Sequence, residues 1–281
     1  MNKSRKIKEV IEPQMVREGA DVLLLRSFSP QVSNRYDPFL LFDHFAFNNP
    51  QDGPLEGFPT HPHRGIETVT YVLKGLVNHR DSMGNRGVIG PGDVQWMTAG
   101  GGILHEELPE RDAEGSIYGF QLWVNLPAAQ KMSLPNYQEV AAASIPVYTR
   151  EGLKVRVVAG ETGGVSGPVK QIAARPLYLE ACLEPATTFT QPVPAGHTTL
   201  VYVFEGNGKI GDEPVKALSM VVLEDGDSVV LKTGESPMRI MLMAGAPFNE
   251  PIAPYGPFVM NTREEIAQAL ADLRAGTFVK S

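Results

Sequence analysis

Two short segments place imidazole and carboxylate side chains at alternate positions. His61 and His63 lie in "HPHRG", and His105 and Glu107 lie in "LHEEL". Side chains two residues apart on an extended strand point to the same face of a sheet. Two such pairs on neighbouring strands would present three imidazoles and one carboxylate to a common point. This set suits Fe(II), Mn(II), Co(II), Ni(II), Cu(II) or Zn(II), whereas Ca(II) and Mg(II) prefer oxygen ligands.

The residues that flank the two pairs favour this interpretation. Pro62 donates no ladder hydrogen bond, so the first pair should lie at the start or edge of a strand. The glycines at positions 100–102 allow a sharp turn just before the second pair. An isolated His-X-His is more often a surface pair than a ligand pair, but two spaced pairs after Gly/Pro-rich turns predict a metal site.

The other histidines have weaker claims to a site role. His44 lies among aromatic residues in "LFDHFAF", which predicts a core position or one behind the ligands. His79 in "GLVNHRDSMG" is predicted to lie on a turn. His197 follows "PVPAG" without a second histidine nearby and is predicted to be structural.

The elements that must position these residues are mostly β-strands. Short runs such as "ETVTYVL", "GDVQWMT", "YGFQLWVNL" and "TTLVYVFEG" are rich in Val, Leu, Tyr or Thr and end at Gly, Asp or Asn. Strand following strand in this way predicts an all-β protein. One helix is expected near residue 262, where Thr262 and Glu265 form a capping box. Its apolar face would consist of Ile266, Leu270 and Leu273.

The chain is predicted to form two domains. A polar, small-residue stretch near residues 130–145 breaks the strand rhythm, so we place a first domain at 1–135 and a second at 136–281 with the C-terminal helix. The two halves also resemble a worn repeat. "VTYVLKG" matches "LVYVFEG", which aligns Gly75 with Gly206, and "VIGPGDVQWMTAGG" matches "VLEDGDSVVLKTGE". Two tandem β-barrels explain this repeat better than one large sandwich.

Composition excludes several classes of protein. The 281 residues carry a net charge of −7, so the chain is a poor candidate for direct nucleic-acid binding, although its first ten residues are basic. Its single cysteine, Cys182, excludes an intramolecular disulfide and fits a reducing compartment. No apolar run approaches the roughly 18 residues that span a bilayer, and the N-terminus lacks a signal-peptide core. These features predict a soluble cytoplasmic protein.

Several motifs together resemble the pirin family of bicupins. They are "DPFLLFDHF", "GFPTHPHRGIETVTYVLKG", "GPGDVQWMTAGGGILHEE", "GFQLWVNLP" and "YGPFVMNTREEI". The resemblance runs nearly end to end and implies two cupin β-barrels, jelly-roll-like in form, with an iron-type metal in the N-terminal one. The family's ligands fall on His61, His63, His105 and Glu107. The glutamate of the general cupin motif falls on Glu67, which in pirins is not a ligand and is predicted to lie behind them.

The C-terminal barrel departs from metal-binding cupins. With Gly75 aligned to Gly206, the positions that match His61 and His63 are Pro192 and Pro194. Arg239 is expected near the place of His105. A barrel without these imidazoles is predicted to be metal-free.

The resemblance also implies an activity, the 2,3-dioxygenation of flavonols such as quercetin. In this reaction O2 opens the ring of an aromatic substrate and carbon monoxide is released. Glu107 would act both as a ligand and as the base that accepts the proton of the flavonol hydroxyl. Phe58, Met97 and Gln121 are candidate walls of the substrate pocket, and Fe(II) is the expected metal.

A second hypothesis comes from another class of function. Pirin relatives also act as regulators that bind a transcription factor or a metabolic enzyme. In that case the redox state of the metal would alter affinity for the protein partner, without turnover. A structural zinc-type site fits less well, because structural sites are usually closed and this set leaves positions open.

Overall fold

The computed structural model describes residues 3–46 and 55–279. Within these residues the chain is mostly β, with one α-helix near the C-terminus, which confirms the predicted fold class. None of the described helical residues forms a segment with the length and apolarity that crossing a bilayer requires.

Twenty-five strands are found within the described residues. The first twelve are β1 (Ile7–Ile11), β2 (Gln14–Glu18), β3 (Val22–Phe28), β4 (Phe39–Phe45), β5 (Phe58–His63), β6 (Ile66–Lys74), β7 (Leu76–Asp81), β8 (Arg86–Ile89), β9 (Val94–Thr98), β10 (Ile103–Glu110), β11 (Tyr118–Asn125) and β12 (Asn136–Val140). The others are β13 (Val147–Arg150), β14 (Leu153–Ala159), β15 (Glu161–Thr162), β16 (Val165–Ser166), β17 (Leu177–Leu183), β18 (Thr188–Pro192), β19 (Thr198–Ile210), β20 (Glu213–Lys216), β21 (Ser219–Leu223), β22 (Ser228–Lys232), β23 (Met238–Gly245), β24 (Ala253–Tyr255) and β25 (Phe258–Met260). The helix is α1 (Arg263–Ala275).

The strands group into two compact units that each draw on two stretches of the chain. The first unit combines Gln14–Ala142 with Phe248–Ser281, and the second combines Met1–Pro13 with Ala143–Pro247. This grouping differs from the predicted linear division at both ends of the sequence. The reason is strand pairing, since β1 pairs with β21 of the second unit, whereas α1 packs against β24 and β25 of the first.

The first unit contains two main sheets. The larger has the order β12-β9-β6-β11-β4-β3-β2, and the smaller has the order β5-β10-β7-β8. Buried apolar side chains from both sheets, including Leu24, Val72, Val77 and Ile89, form one core cluster. The core therefore lies between the two sheets, and the smaller sheet carries both predicted ligand pairs.

The second unit repeats the strand connectivity of the first but lacks histidines at the positions that match His61, His63 and His105. β18 pairs with β22 as β5 pairs with β10, and the ladder partner of Pro192 is Ser228, as that of His61 is His105. The prediction that Arg239 lies near the place of His105 is therefore wrong. Arg239 is on β23, the counterpart of β11, because β23 and β11 pair with β19 and β6 respectively. That this unit binds no metal stays a prediction.

The strand pairing also tests the two sequence matches between the halves of the chain. Gly75, between β6 and β7, and Gly206, within β19, both have a φ of +73°, as their alignment implies. In contrast, the match of "VIGPGDVQWMTAGG" with "VLEDGDSVVLKTGE" is wrong. The partner of Tyr71 is Val94 and that of the equivalent Tyr202 is Met220, so β9 corresponds to β21 and not to β22.

The C-terminal helix has the predicted capping box. The Thr262 hydroxyl accepts from the Glu265 amide at 3.1 Å, and the Glu265 carboxylate accepts from the Thr262 amide at 2.9 Å. Its buried face differs slightly from the prediction. Ile266 is buried and Leu270 is partly buried, but Leu273 is 37% exposed and Asp272 is 8% exposed. Asp272 takes this place because it pairs with a buried arginine, described below.

Candidate metal centre

Strands β5 and β10 bring the three predicted histidines together. They are antiparallel neighbours in which His105 is the direct partner of His61. The Nε2 atoms of His61 and His63 lie 3.2 Å apart, and the ring centroid of His105 lies 4.3 Å from that of His61 and 4.9 Å from that of His63. One ligand atom from each of the three lies within 4.8 Å of the other two. We call these residues the histidine triad.

The surroundings of the histidine triad favour neutral imidazoles. His63 and His105 are 2% and 1% exposed, and His61 is half-buried. Burial holds the pKa of His63 and of His105 well below the usual value, and the neighbouring histidines lower both further. Unprotonated ring nitrogens are therefore available as electron-pair donors at neutral pH.

Hydrogen bonds outside the triad fix which ring nitrogens face inwards. His61 Nδ1 donates to the carbonyl oxygen of Pro59 at 2.9 Å, and His63 Nδ1 donates to that of Pro257 at 3.2 Å. A carbonyl oxygen accepts only, so both Nε2 atoms keep a lone pair. Such partners orient metal-binding histidines in many proteins.

These residues fit a bound divalent ion. Two lone pairs that face each other repel, and a shared cation would remove the repulsion. Nitrogen ligands about 2.0–2.1 Å from an ion and at right angles to each other lie roughly 3 Å apart, close to the 3.2 Å observed here. Both ring nitrogens of His105 are buried without a hydrogen-bond partner among the described residues. Buried polar atoms are rarely left unsatisfied, and an ion is a fitting partner for the unprotonated one of the two nitrogens.

Glu107 lies beside the triad and not within it. Its carboxylate accepts hydrogen bonds from Gln121 Nε2 at 3.0 and 2.9 Å and from Thr70 Oγ1 at 2.9 Å. The pairing of β10 with β5 shifts register between His105 and Glu107, so the two side chains do not follow one regular ladder. The fourth-ligand role of Glu107 stays a prediction.

A chain of contacts connects Glu107 with the triad. Trp123 Nε1 donates to Gln121 Oε1 at 3.3 Å, which leaves the Gln121 amide nitrogen to donate to Glu107. The Trp123 ring also packs edge-on against His63, with centroids 5.0 Å apart. The orientation of Glu107 is thus set by the same tryptophan that supports a triad ring.

An apolar cavity opens next to Glu107. It encloses about 490 Å³ between its wall atoms, including its open mouth. The described residues that line it are Val22, Leu24, Asp43, Phe45, Leu55, Phe58, Thr70, Val77, Glu107, Pro109, Ile117 and Gln121. Most of this wall is aliphatic or aromatic, and its polar groups gather around Glu107.

Two of the three predicted pocket residues line this cavity. They are Phe58 and Gln121. Met97 is fully buried elsewhere and packs with Leu40, Ile66 and Ile103. Met97 is on the same sheet face as Thr70, because its ladder partner is Thr68, but it packs into this separate core cluster and does not line the cavity.

The second acidic residue of the cavity wall, Asp43, lies opposite Gln121 in the ladder and is ion-paired. Asp43 accepts two hydrogen bonds from Arg26, at 2.8 and 2.7 Å, and Arg26 also contacts Glu18 at 2.6 Å. Burial raises the pKa of Asp43, although Arg26 opposes this effect. Asp43 therefore serves as a partner for Arg26.

The two residues predicted to lie behind the ligands have other partners. Glu67 accepts hydrogen bonds from Thr98 Oγ1 at 2.8 Å and from Trp96 Nε1 at 3.2 Å, and burial raises its pKa to about 7. His44 is buried against the rings of Tyr118 and Phe120, and burial lowers its pKa to about 3. Neither residue is part of the triad.

His79 is a site neighbour that the sequence prediction missed. It lies on strand β7 and not on a turn, opposite Glu107 in the ladder. Its ring is 5.3 Å from that of His105, and its Nε2 is 3.5 Å from a carboxylate oxygen of Asp81. The alternation of His79 and Asp81, the same i, i+2 pattern as in the ligand pairs, was the available signal.

Comparisons with known proteins find relatives along nearly the whole chain. A family model described as Pirin matches residues 22–124, and one described as Pirin C-terminal cupin domain matches residues 178–279. A pirin-like protein from Caulobacter vibrioides is 44% identical over 98% of this chain and 99% of its own length. A Pseudomonas aeruginosa protein named "Putative quercetin 2,3-dioxygenase PA3240" is 42% identical, with 98% and 99% coverage. The crystal structure of quercetin 2,3-dioxygenase from Acinetobacter baumannii has a TM-score of 0.88 at 36% identity and covers 98% of this chain and 99% of its own.

Proposed function

Because this chain belongs to the pirin family of two-domain cupins, we propose that it is a metal-dependent dioxygenase that opens the ring of a flavonol-like substrate. The reaction consumes one O2 and releases one carbon monoxide per substrate. The observation that carries the proposal is an apolar cavity lined by Glu107, which follows the triad residue His105 by two positions on β10. Relatives named for quercetin dioxygenation support the same reaction class.

The cavity suits a flat aromatic substrate. Phe58, Leu24, Phe45 and Ile117 offer apolar surface, which favours burial of aromatic rings by roughly 25 cal/mol per Å². Pockets of this kind use a few polar groups to fix the orientation of the ligand. Here Thr70 and Gln121 surround Glu107, two residues after His105 on the same strand, so a hydroxylated edge of the substrate would face Glu107.

We propose that the three histidines hold the ion and that Glu107 completes the set. When bound, the ion would supply positive charge and open coordination positions for the substrate oxygen and O2. Fe(II) is the metal we expect, although nitrogen and oxygen ligands also accept Mn, Co, Ni, Cu and Zn. His61 and His63 would remain oriented by their carbonyl partners throughout.

Glu107 is the proposed base. Its carboxylate borders the cavity, so it can accept the proton of a flavonol hydroxyl that approaches the ion. Gln121 and Thr70 donate to the carboxylate and thereby hold it in one orientation. Deprotonation makes the flavonol electron-rich, which is the condition for its reaction with O2. The apolar wall excludes water from this step.

The decisive experiment is O2 uptake by Fe(II)-loaded protein supplied with quercetin. His61→Ala removes a proposed ligand, and His197→Ala in the second unit serves as the matched control. We expect uptake with equimolar carbon monoxide in the wild type and in His197→Ala, and none in His61→Ala. Absence of uptake by wild-type protein that demonstrably holds the metal would refute the dioxygenase and favour the alternative, a redox-sensing protein that binds a regulatory partner.

A second variant separates the two proposed roles of Glu107. Glu107→Gln keeps the shape and an oxygen but cannot accept a proton at neutral pH. We expect it to lose most of its turnover while it retains bound metal, as measured by metal content after gel filtration. Retention of full turnover would exclude Glu107 as the base.

A further inference from the structure

We call residues Pro257–Phe278 the C-terminal segment. It lies more than 150 residues after the histidine triad in the sequence, yet it contacts His63 and the turns next to the triad directly. It contains β25 and α1. Four contacts connect it with His63, with the turn that follows β5 and with the turn that precedes β10.

The first contact reaches a triad residue itself. His63 Nδ1 donates to the carbonyl oxygen of Pro257 at 3.2 Å, and next to it the amide of Val259 donates to the carbonyl oxygen of Arg64 at 3.1 Å. The ring orientation of His63 therefore depends on backbone atoms of the C-terminal segment. His63 is buried, so water cannot readily replace this acceptor.

The second contact holds the turn after His63. The Lys131 ammonium group donates to the carbonyl oxygens of Gly65 and Val259 at 2.8 and 2.6 Å, and to Asn125 Oδ1 at 2.5 Å. Gly65 has a φ of +80°, and a Cβ at this position would overlap the carbonyl oxygen of Val259. The segment and the turn are thus in close backbone contact.

The third contact lies on the other side of the triad. Gly102, in the glycine run before His105, has a φ of +143°, and a Cβ there would overlap the carbonyl oxygen of Phe278. The C-terminal segment therefore packs against the turn that leads into β10 as well as the turn that follows β5. A displacement of the segment would release both turns.

The fourth contact anchors the segment. Arg64 is 1% exposed and donates to Asp272 Oδ2 at 2.8 Å and to the carbonyl oxygen of Phe278 at 3.1 Å. Its guanidinium also lies 4.3 Å from the centre of the Phe278 ring. A buried arginine needs such partners, so the residue directly after a triad histidine depends on α1 for its own charge balance.

We propose that the C-terminal segment is a positioning element for the metal centre, so that docking of α1 through Arg64 and Asp272 raises metal affinity. The inference rests on the proposed metal site but concerns a different property of it. Partners outside the ligand set typically change metal affinity by about 10- to 100-fold when they are removed. We expect a loss of metal affinity of this size when the Arg64–Asp272 ion pair is removed.

The test compares Ni(II) dissociation constants, measured by competition with a chromophoric chelator, in three variants. Asp272→Asn removes the charge that pairs with Arg64, and Phe278→Leu removes the ring over the guanidinium while it keeps apolar bulk. Thr262→Ala is the matched control. It weakens the same helix at its cap and leaves the Arg64–Asp272 ion pair intact. We expect about 10- to 100-fold weaker binding in the first variant, a smaller loss in the second and no change in the control.

Two further readouts separate positioning from general loss of structure. The visible ligand-field bands of Co(II) should shift in Asp272→Asn, because His63 is free to turn. In the wild type, Ni(II) should slow amide hydrogen exchange in residues 263–275, because coupling between two sites is reciprocal. If Asp272→Asn does not fold, Phe278→Leu and the exchange experiment still decide.

The outcomes distinguish this inference from the proposed function. Equal dissociation constants in the wild type, Asp272→Asn and Phe278→Leu, without exchange protection by Ni(II), would overturn the inference and leave the metal site intact. An equal loss in Thr262→Ala would overturn the role of the Arg64–Asp272 pair. Failure of the wild type to bind any metal would instead refute the proposed function.

Discussion

Replacement of Glu67 by glutamine should remove a pH dependence of stability that one buried carboxyl group causes. Glu67 is 3% exposed and is held by Thr98 and Trp96. Burial raises its pKa from 4.5 to about 7, while the two hydrogen bonds oppose the shift. Below pH 4.5 the carboxyl group is protonated in both the folded and the unfolded chain, so it carries no ionisation penalty there.

The sign and size follow from proton linkage. Between pH 4.5 and 7 the folded state binds more protons at Glu67 than the unfolded state, so the free energy of unfolding falls as the pH rises. Each pH unit between the two pKa values is worth about 1.4 kcal/mol, so the total loss is roughly 3 kcal/mol. Glutamine can accept from Trp96 with its oxygen and donate to Thr98 with its amide, and it does not ionise.

The assay is urea unfolding of the metal-free protein at several pH values from 4.5 to 8. We expect the stability of Glu67→Gln relative to the wild type to rise by roughly 3 kcal/mol across this range. Glu114→Gln, at a side chain that is 77% exposed, is the control and should show no such rise. A difference between Glu67→Gln and the wild type that stays constant with pH would refute the reasoning.

Three further predictions concern the turns, the core and the metal. Gly65→Ala should lower the free energy of unfolding by more than about 2 kcal/mol, because this position combines a positive φ with overlap of the new Cβ and the backbone. Gly84 has a φ of +88° but lies in open space, so Gly84→Ala should lower it by only about 1 kcal/mol. Urea unfolding of both variants would measure the difference. Met97→Ala should cost about 2–5 kcal/mol and leave the KM for quercetin unchanged, whereas Phe58→Ala should raise this KM. Ni(II) should raise the melting temperature of the wild type and not that of His105→Ala. Thermal unfolding with and without a chelator would measure this. An equal rise in both proteins would contradict metal binding by the histidine triad.

The sequence predicted what depends on short spacing. The pairs His61/His63 and His105/Glu107 alternate as strand residues do, and the structure brings the three histidines together. The capping box of α1 was also readable, because Thr262 and Glu265 are close neighbours in the chain. Both features need only local geometry.

Features that depend on pairing between strands distant in the chain could not be predicted from the sequence. His79 lies opposite Glu107 and near His105 because β7 pairs with β10, and its alternation with Asp81 indicates a shared face but not that register. The match of glycines in the two halves placed Arg239 one strand too early, since the second half has fewer residues between Gly206 and β22 than the first half has between Gly75 and β10. Pro257 contributes only its backbone carbonyl oxygen to His63. Every residue type has this oxygen, so the sequence could not indicate which residue would accept the hydrogen bond.

The exchange of terminal segments between the two units has a consequence for synthesis on the ribosome. A nascent chain that has emerged as far as Ala142 contains every triad histidine but lacks strands β24 and β25 and helix α1. Strand β1, made first, must likewise wait for β21 before its ladder can form. Contacts so distant in sequence form slowly, so the metal centre should mature after translation ends, and premature termination near residue 250 should yield a chain with all its ligands and little metal.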